Sequence, residues 1–124
     1  REILTEIVVS LPAEQCGTAL TRLTRTSSDL AKVNCAVQIT VSDGRCDDIR
    51  VVLGAVADKP VRAKKAEQCI RGQETSDEVL EEAAQGVVED IAPITDARST
   101  AEYRAQVSKV LVKRTIKQAI ERAR

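Results

Sequence analysis

Val33-Asn-Cys-Ala-Val-Gln-Ile-Thr-Val-Ser42, then Asp43-Gly44-Arg-Cys-Asp-Asp48, then Ile49-Arg-Val-Val-Leu-Gly-Ala-Val-Ala57 is the stretch that decides the fold. Val33, Cys35, Val37, Ile39 and Val41 fall on one side of a period-two ribbon, and Asn34, Ala36, Gln38, Thr40 and Ser42 on the other. Asp43-Gly44 is a hairpin signal, and Asp48 to Ala57 reads as the return strand, with Ile49, Val51, Leu53 and Ala55 on its apolar face. Parity constrains the turn. A two-residue loop pairs Ile39 with Asp48 and sets a charge opposite the core. A three-residue loop over 43–45 pairs Ile39 with Ile49 and Val37 with Val51. The expectation is therefore the longer loop, with Gly44 or Arg45 in the left-handed region. Gly54, a lone glycine in a strand, marks a bulge or a close contact.

Upstream, Ile3 to Leu11 alternates well enough to read as a strand closed by Pro12. Residues 13–32 show no clean period, and Thr18 to Leu30 reads as extended or irregular. Downstream, helices take over. Pro60 suits a first helical position, and a helix over 60–71 stops at Gly72, with Arg62 free to anchor a loop. Thr75-Ser-Asp-Glu78 has capping-box spacing, and the helix it starts carries Val79, Leu80, Ala83, Ala84, Val87, Val88 and Ile91 on one stripe before Pro93. Ser99-Thr-Ala-Glu102 opens a last helix to about residue 122. Asp96 and Arg98 read as a local ion pair framing its Ser99 cap. The expected fold is α+β: an antiparallel sheet of 3–4 strands followed by three helices on one face.

Two features of the helices bear on partners. Glu74 to Asp96 carries eight acids and no Lys or Arg, whereas Arg104 to Arg124 carries seven bases and one acid. Opposite charges on neighbouring helices predict that they face each other or present solvated faces. The final helix has two apolar stripes, Tyr103, Val107, Val110 and Leu111 on one side and Val112, Ile116, Ala119, Ile120 and Ala123 on the other. A helix packed on one core needs one stripe, so its C-terminal half is expected to touch another surface or to bend.

Composition excludes several functions. The 124 residues are 43% hydrophobic and 31% charged, with 19 basic and 19 acidic side chains, a globular balance that disfavours a cationic nucleic-acid or membrane binder. With no His there is no histidine-based nucleophile pair or metal site, and with one Tyr and no Phe or Trp there is no stacking platform for bases. Cys16, Cys35, Cys46 and Cys69 lie too far apart for a CxxC clip, so they are expected to be reduced and structural in a cytoplasmic setting. Asp47-Asp48 and Glu89-Asp90 make poor acid–base pairs, and no glycine-rich phosphate loop is present. No catalytic residue and no metal ligand is assigned. The chain begins at Arg1 and contains no Met, which predicts a part of a longer polypeptide.

Three blocks carry a family resemblance: Arg25-Thr-Ser-Ser-Asp29-Leu-Ala-Lys-Val-Asn-Cys35; Ile49-Arg-Val-Val-Leu-Gly54 running through Lys59-Pro60-Val-Arg62 and Ala66-Glu67 to Gly72; and Pro93-Ile-Thr-Asp96-Ala-Arg98-Ser99-Thr-Ala-Glu-Tyr103-Arg104. In order and spacing they resemble the C-terminal domain of the FAD-binding medium subunit of molybdenum hydroxylases, the xanthine dehydrogenase and carbon monoxide dehydrogenase family. The resemblance covers essentially the whole chain. It implies a domain that closes over FAD, whose phosphates are held by a preceding domain. It also implies iron–sulfur and molybdenum subunits that pass electrons from a molybdenum cofactor through iron–sulfur clusters to the flavin and on to an acceptor. Segment 21–29 is then the part that approaches the flavin, with Thr21, Arg22, Arg25, Ser28 and Asp29 as cofactor-binding candidates. Xanthine-dehydrogenase-like members carry a flavin-contacting Lys at the position of Thr21 and an acid at that of Ser28, so this chain departs from them there. The alternative for 21–29 is a solvated loop with an Arg25–Asp29 ion pair, and for the chain an assembly domain with no cofactor contact. No turnover is expected from this chain by itself, and neither nucleic acid nor membrane is an expected partner.

Overall fold

The computed structural model describes residues 2–12 and 14–123. Strands β1 (Cys16–Leu23), β2 (Val33–Ser42), β3 (Arg45–Gly54) and β4 (Val61–Arg62) form one antiparallel sheet in the order β1-β2-β3-β4. Helices α1 (Lys64–Ile70), α2 (Asp77–Gly86) and α3 (Ala101–Ala123) follow. One face of the sheet, with Ala19, Val33, Cys35, Val37, Ile39, Ile49, Val51 and Leu53, is buried against the helices, and Leu23 and Val41 of that face are partly buried. The other face carries the exposed Leu20 and Arg50. The α+β architecture with helices on one face is as expected.

The hairpin register is also as expected, but it is reached differently. Asp43 and Gly44 both have positive φ, 51° and 77°, which makes a two-residue turn of the kind Asp-Gly favours. Ser42 pairs with Arg45 and Val41 with Cys46; one extra residue then sits on β3, so that Thr40 pairs with Asp48, Ile39 with Ile49 and Val37 with Val51. The expected three-residue loop is thus replaced by a short turn and a bulge at Asp47, which restores parity and keeps the apolar faces aligned. The Asp47 carboxylate accepts the Ser42 hydroxyl across it.

Other expectations are corrected. Residues 2–12 carry no secondary structure and are exposed; the strand anticipated at 3–11 has no neighbour here to pair with. The unpatterned 13–32 region contains β1. Gly17 explains why: a Cβ there would lie 1.8 Å from the Ala119 carbonyl oxygen, so β1 sits against the α3 backbone with small residues instead of an apolar row. Pro60 does not open a helix. Val61 and Arg62 add an edge strand to β3, where a preceding proline is tolerated, and α1 begins at Lys64. Gly72 does end that segment, with φ 78°. Ser76, not Thr75, caps α2 by accepting the Val79 amide, because the Thr75 hydroxyl donates instead to the Gly44 carbonyl. The α2 segment ends at Gly86 and a 3₁₀ turn over Val87–Glu89 finishes it, well before Pro93. Thr100 rather than Ser99 caps α3, accepting the Tyr103 amide. Asn34 covers Gly54, the close contact its lone glycine signalled.

The long helix reverses its expected polarity. Val112, Ile116, Ala119, Ile120 and Ala123 are buried under the sheet, and Leu111 joins them. Tyr103 and Val110 are about half exposed. It is Tyr103 and Val110 of the N-terminal stripe, not the C-terminal half, that are left partly uncovered. Acidic α2 and basic α3 do face each other: Lys113 bridges Asp77 at 3.5 Å and Glu81 at 2.6 Å, and Lys117 pairs with Asp77. Hydrogen bonds from these lysines hold both carboxyls below the usual carboxylate range.

Candidate functional site

The β1–β2 loop carries most of the residues singled out above. Lys32 donates its amide to the Leu23 carbonyl at 2.8 Å and Asp29 donates to Thr26 at 3.2 Å, which closes the loop on itself. Arg22 reaches back to the Ser27 carbonyl at 3.1 Å. Arg25 Nε lies 3.1 Å from Asp29 Oδ2, so the ion pair expected there is present.

A second connection faces this loop. Residues 90–100 join the 3₁₀ turn to α3 and are organised by Asp96. Its Oδ1 accepts the amides of Arg98 at 2.8 Å and Ser99 at 3.0 Å, and its Oδ2 accepts Arg104 Nη2 at 2.7 Å. These bonds, the Arg98 amide foremost, hold the Asp96 carboxyl below its ordinary range. The carboxylate partner is therefore Arg104 and not Arg98, whose side chain is left free to face outward; Arg98 contributes only its amide. Arg104 is 5% exposed and also donates Nη1 to the Ala55 carbonyl at 2.7 Å. A single buried guanidinium thus fixes two loops against the start of α3. The spacing 104, 108, 112, 115, 119 continues the buried stripe of α3 toward its N-terminus, and that continuation is the signal by which the sequence marks Arg104.

Between the two connections lies an open concavity of about 450 Å³, lined by Arg25, Ser28, Asp29, Leu30, Lys32, Ala97 and Arg98. Three cations face one carboxylate there, an excess of two positive charges. Lys32 Nζ sits 5.6 Å from the Tyr103 ring centroid. Of the five residues expected to approach a cofactor, Arg25, Ser28 and Asp29 come together in this concavity. Thr21 and Arg22 do not. They line a separate groove beside Tyr103, Val107 and Val110, and the Thr21 hydroxyl is hydrogen-bonded to Thr115 of α3. Ala97 and Arg98, by contrast, join the site from a connection that only the fold brings near.

What the lining offers is charge and hydrogen-bond donors: two guanidiniums, one ammonium, one hydroxyl and one carboxylate. No group of three or more Cys, Asp or Glu suited to a metal occurs among the described residues. All four cysteines are free, and burial pushes the Cys35 and Cys46 thiols up to about 11, which leaves little thiolate at neutral pH. Among the described residues, no helix is long and apolar enough to cross a membrane.

The family model described as the CO dehydrogenase flavoprotein C-terminal domain matches residues 18–119. The chain belongs to this family. As a CO dehydrogenase flavoprotein C-terminal domain, it is 32% identical over 123 residues to the carbon monoxide dehydrogenase medium chain of Afipia carboxidovorans, covering 99% of this chain and 43% of that one. It is 31% identical over 118 residues to the nicotine 6-hydroxylase medium subunit of Paenarthrobacter nicotinovorans, covering 95% of this chain and 41% of the relative. The solved carbon monoxide dehydrogenase of Hydrogenophaga pseudoflava, in a form lacking the Mo-pyranopterin moiety of the molybdenum cofactor, superposes with a TM-score of 0.89 at 32% identity. That match covers 92% of this chain and 40% of the solved one. The chain therefore spans about two fifths of the length of these relatives.

Proposed function

We propose that this chain is the C-terminal lobe of an FAD-containing electron-transfer subunit of a molybdenum hydroxylase, and that it closes over a flavin whose phosphates are held by a preceding domain. Iron–sulfur and molybdenum subunits complete the assembly in this reading, and the four free thiols favour a reducing, cytoplasmic setting. The observation that carries the reading is the cationic concavity between residues 25–32 and 97–98. Its donor set fits an electron-rich ring or a diphosphate: two guanidiniums, one ammonium and a hydroxyl, with the exposed Leu30 as apolar rim. The family membership and the medium-subunit relatives support it.

When bound, the flavin supplies the redox chemistry. This chain's residues have simpler tasks. Arg25 and Arg98 offer positive charge to one side of the ring or its diphosphate, Asp29 orients Arg25, and Lys32 is steadied against Tyr103. Arg104 holds the 96–99 turn so that Arg98 faces the concavity. The lobe also excludes water from whatever it covers.

The test is removal of residues 16–124 from the full-length subunit, with residues 1–15 kept, followed by flavin titration and measurement of the reduction potential. A lid predicts at least about tenfold weaker flavin binding and a shifted potential. An assembly module, favoured by the half-exposed Tyr103 and Val110, predicts both unchanged with loss of subunit association.

A further inference from the structure

The most apolar exposed segment of the molecule lies outside its own fold. Ile3, Leu4, Ile7, Val8, Val9 and Leu11 are 76–95% exposed, a density of bare large aliphatics that a surface does not carry without a partner. The residues nonetheless alternate as a strand does: Ile3, Ile7, Val9 and Leu11 share one face with Thr5, and Glu2, Glu6 and Ser10 share the other with Leu4 and Val8.

We infer that residues 3–11 are a β-strand belonging to a neighbouring sheet, that of the domain preceding this lobe in the full-length subunit, which they complete by edge pairing with the odd-numbered face turned to that domain's core. This rests on the proposal that such a domain precedes the lobe. Three observations favour that occupant. The family model for this domain starts at residue 18, past the segment, whereas the match to the Afipia carboxidovorans medium chain runs over 99% of the chain and so includes it. The segment is thus shared with the longer subunit without being part of this domain's pattern. Second, the chain accounts for 43% of that relative, which leaves enough polypeptide for a second domain with a sheet of its own. Third, pairing with this domain's sheet stops at Gln15, whose carbonyl accepts the Val41 amide at 3.2 Å and whose φ is 57°, so residues 3–11 lie outside this sheet. Pairing across the domain boundary would also fix the lobe's position, since only residues 12–15 separate that strand from β1.

Hydrogen–deuterium exchange on the wild-type full-length subunit tests this in peptides covering residues 3–11. The expected result is exchange on the order of 100-fold slower than in the free peptide, independent of subunit concentration. Exchange within about threefold of the free peptide overturns the inference. So does protection that vanishes on dilution, which would assign the strand to a second copy. Ile7→Asp is expected to speed exchange there by about tenfold or more, and Glu6→Lys to change it by less than about twofold; equal effects would contradict the one-faced burial. Flavin affinity plays no part in this readout, so it fails separately from the lid proposal.

Discussion

Two arginine–carboxylate clamps hold this molecule, and they are inverted copies of each other. At the β4–α1 corner the acid is buried: Glu67, with its side chain 6% exposed, accepts Arg62 at 2.6 and 3.0 Å and the Val51 amide at 2.9 Å. At the start of α3 the base is buried: Arg104, also 6% exposed, donates to Asp96 and to the Ala55 carbonyl. A buried carboxylate collects donors, and here it takes a backbone amide of the sheet and a neighbour five residues away. A buried guanidinium distributes donors, and here it reaches two loops. The first clamp therefore secures scaffold; the second shapes the rim of the concavity. Arg104 Nε finds no partner in its buried position, which marks the second clamp as the less completely satisfied of the two.

The difference can be broken experimentally. Glu67→Ala is expected to have the largest effect, a loss of roughly 3 kcal/mol, because it leaves the Val51 amide unsatisfied inside the sheet and Arg62 unpaired. Urea unfolding of the full-length subunit measures it, and the concavity should keep its shape. Arg104→Met comes next, at roughly 2 kcal/mol, since the methionine refills the buried volume while both loops lose their tether. Here exchange of the amides at 96–99 should accelerate more than that of the sheet. Equal acceleration everywhere would erase the distinction between scaffold and rim.

Acid sharpens the comparison further. The Asp96 carboxyl titrates below its ordinary value in the folded chain, so its contribution is present above about pH 4 and is lost as the pH falls through the folded value. The 96–99 amides should therefore loosen on acidification below about pH 4, and Asp96→Asn should flatten that dependence. The smallest effect on stability is expected from Arg25→Ala. Its ion pair with Asp29 is solvent-exposed on the arginine side, and the unfolding free energy should change by less than about 0.5 kcal/mol.

These regions were not equally legible. The β2–β3 hairpin is announced by alternation, and its register follows from keeping charge off the core. The bulge at Asp47 was hidden because a short turn with one extra residue and a long turn produce the same pairing. Strand β1 left no hydrophobic trace, since Gly17 and Ala19 lie where α3 packs close and Thr21 satisfies its hydroxyl on Thr115. Residues 3–11 show the reverse, a clear strand pattern with no strand beside it. At the candidate site, the loop carrying Arg25, Ser28 and Asp29 was visible in the chain. Its pairing with Ala97 and Arg98 was not, because nearly seventy residues separate the two walls and only Arg104 and the sheet bring them together. Adjacency groups Thr21 and Arg22 with that loop, whereas both lie on β1 and strand pleating turns Thr21 toward α3.

The central claim is that the cationic concavity faces a flavin in the full-length subunit. Its most direct measurement is the flavin dissociation constant of that subunit carrying Arg25→Ala and Arg98→Ala, compared with wild type under conditions where both unfold at the same midpoint. The account predicts at least tenfold weaker binding, about 1.4 kcal/mol or more. Unchanged affinity in a folded double variant would contradict it.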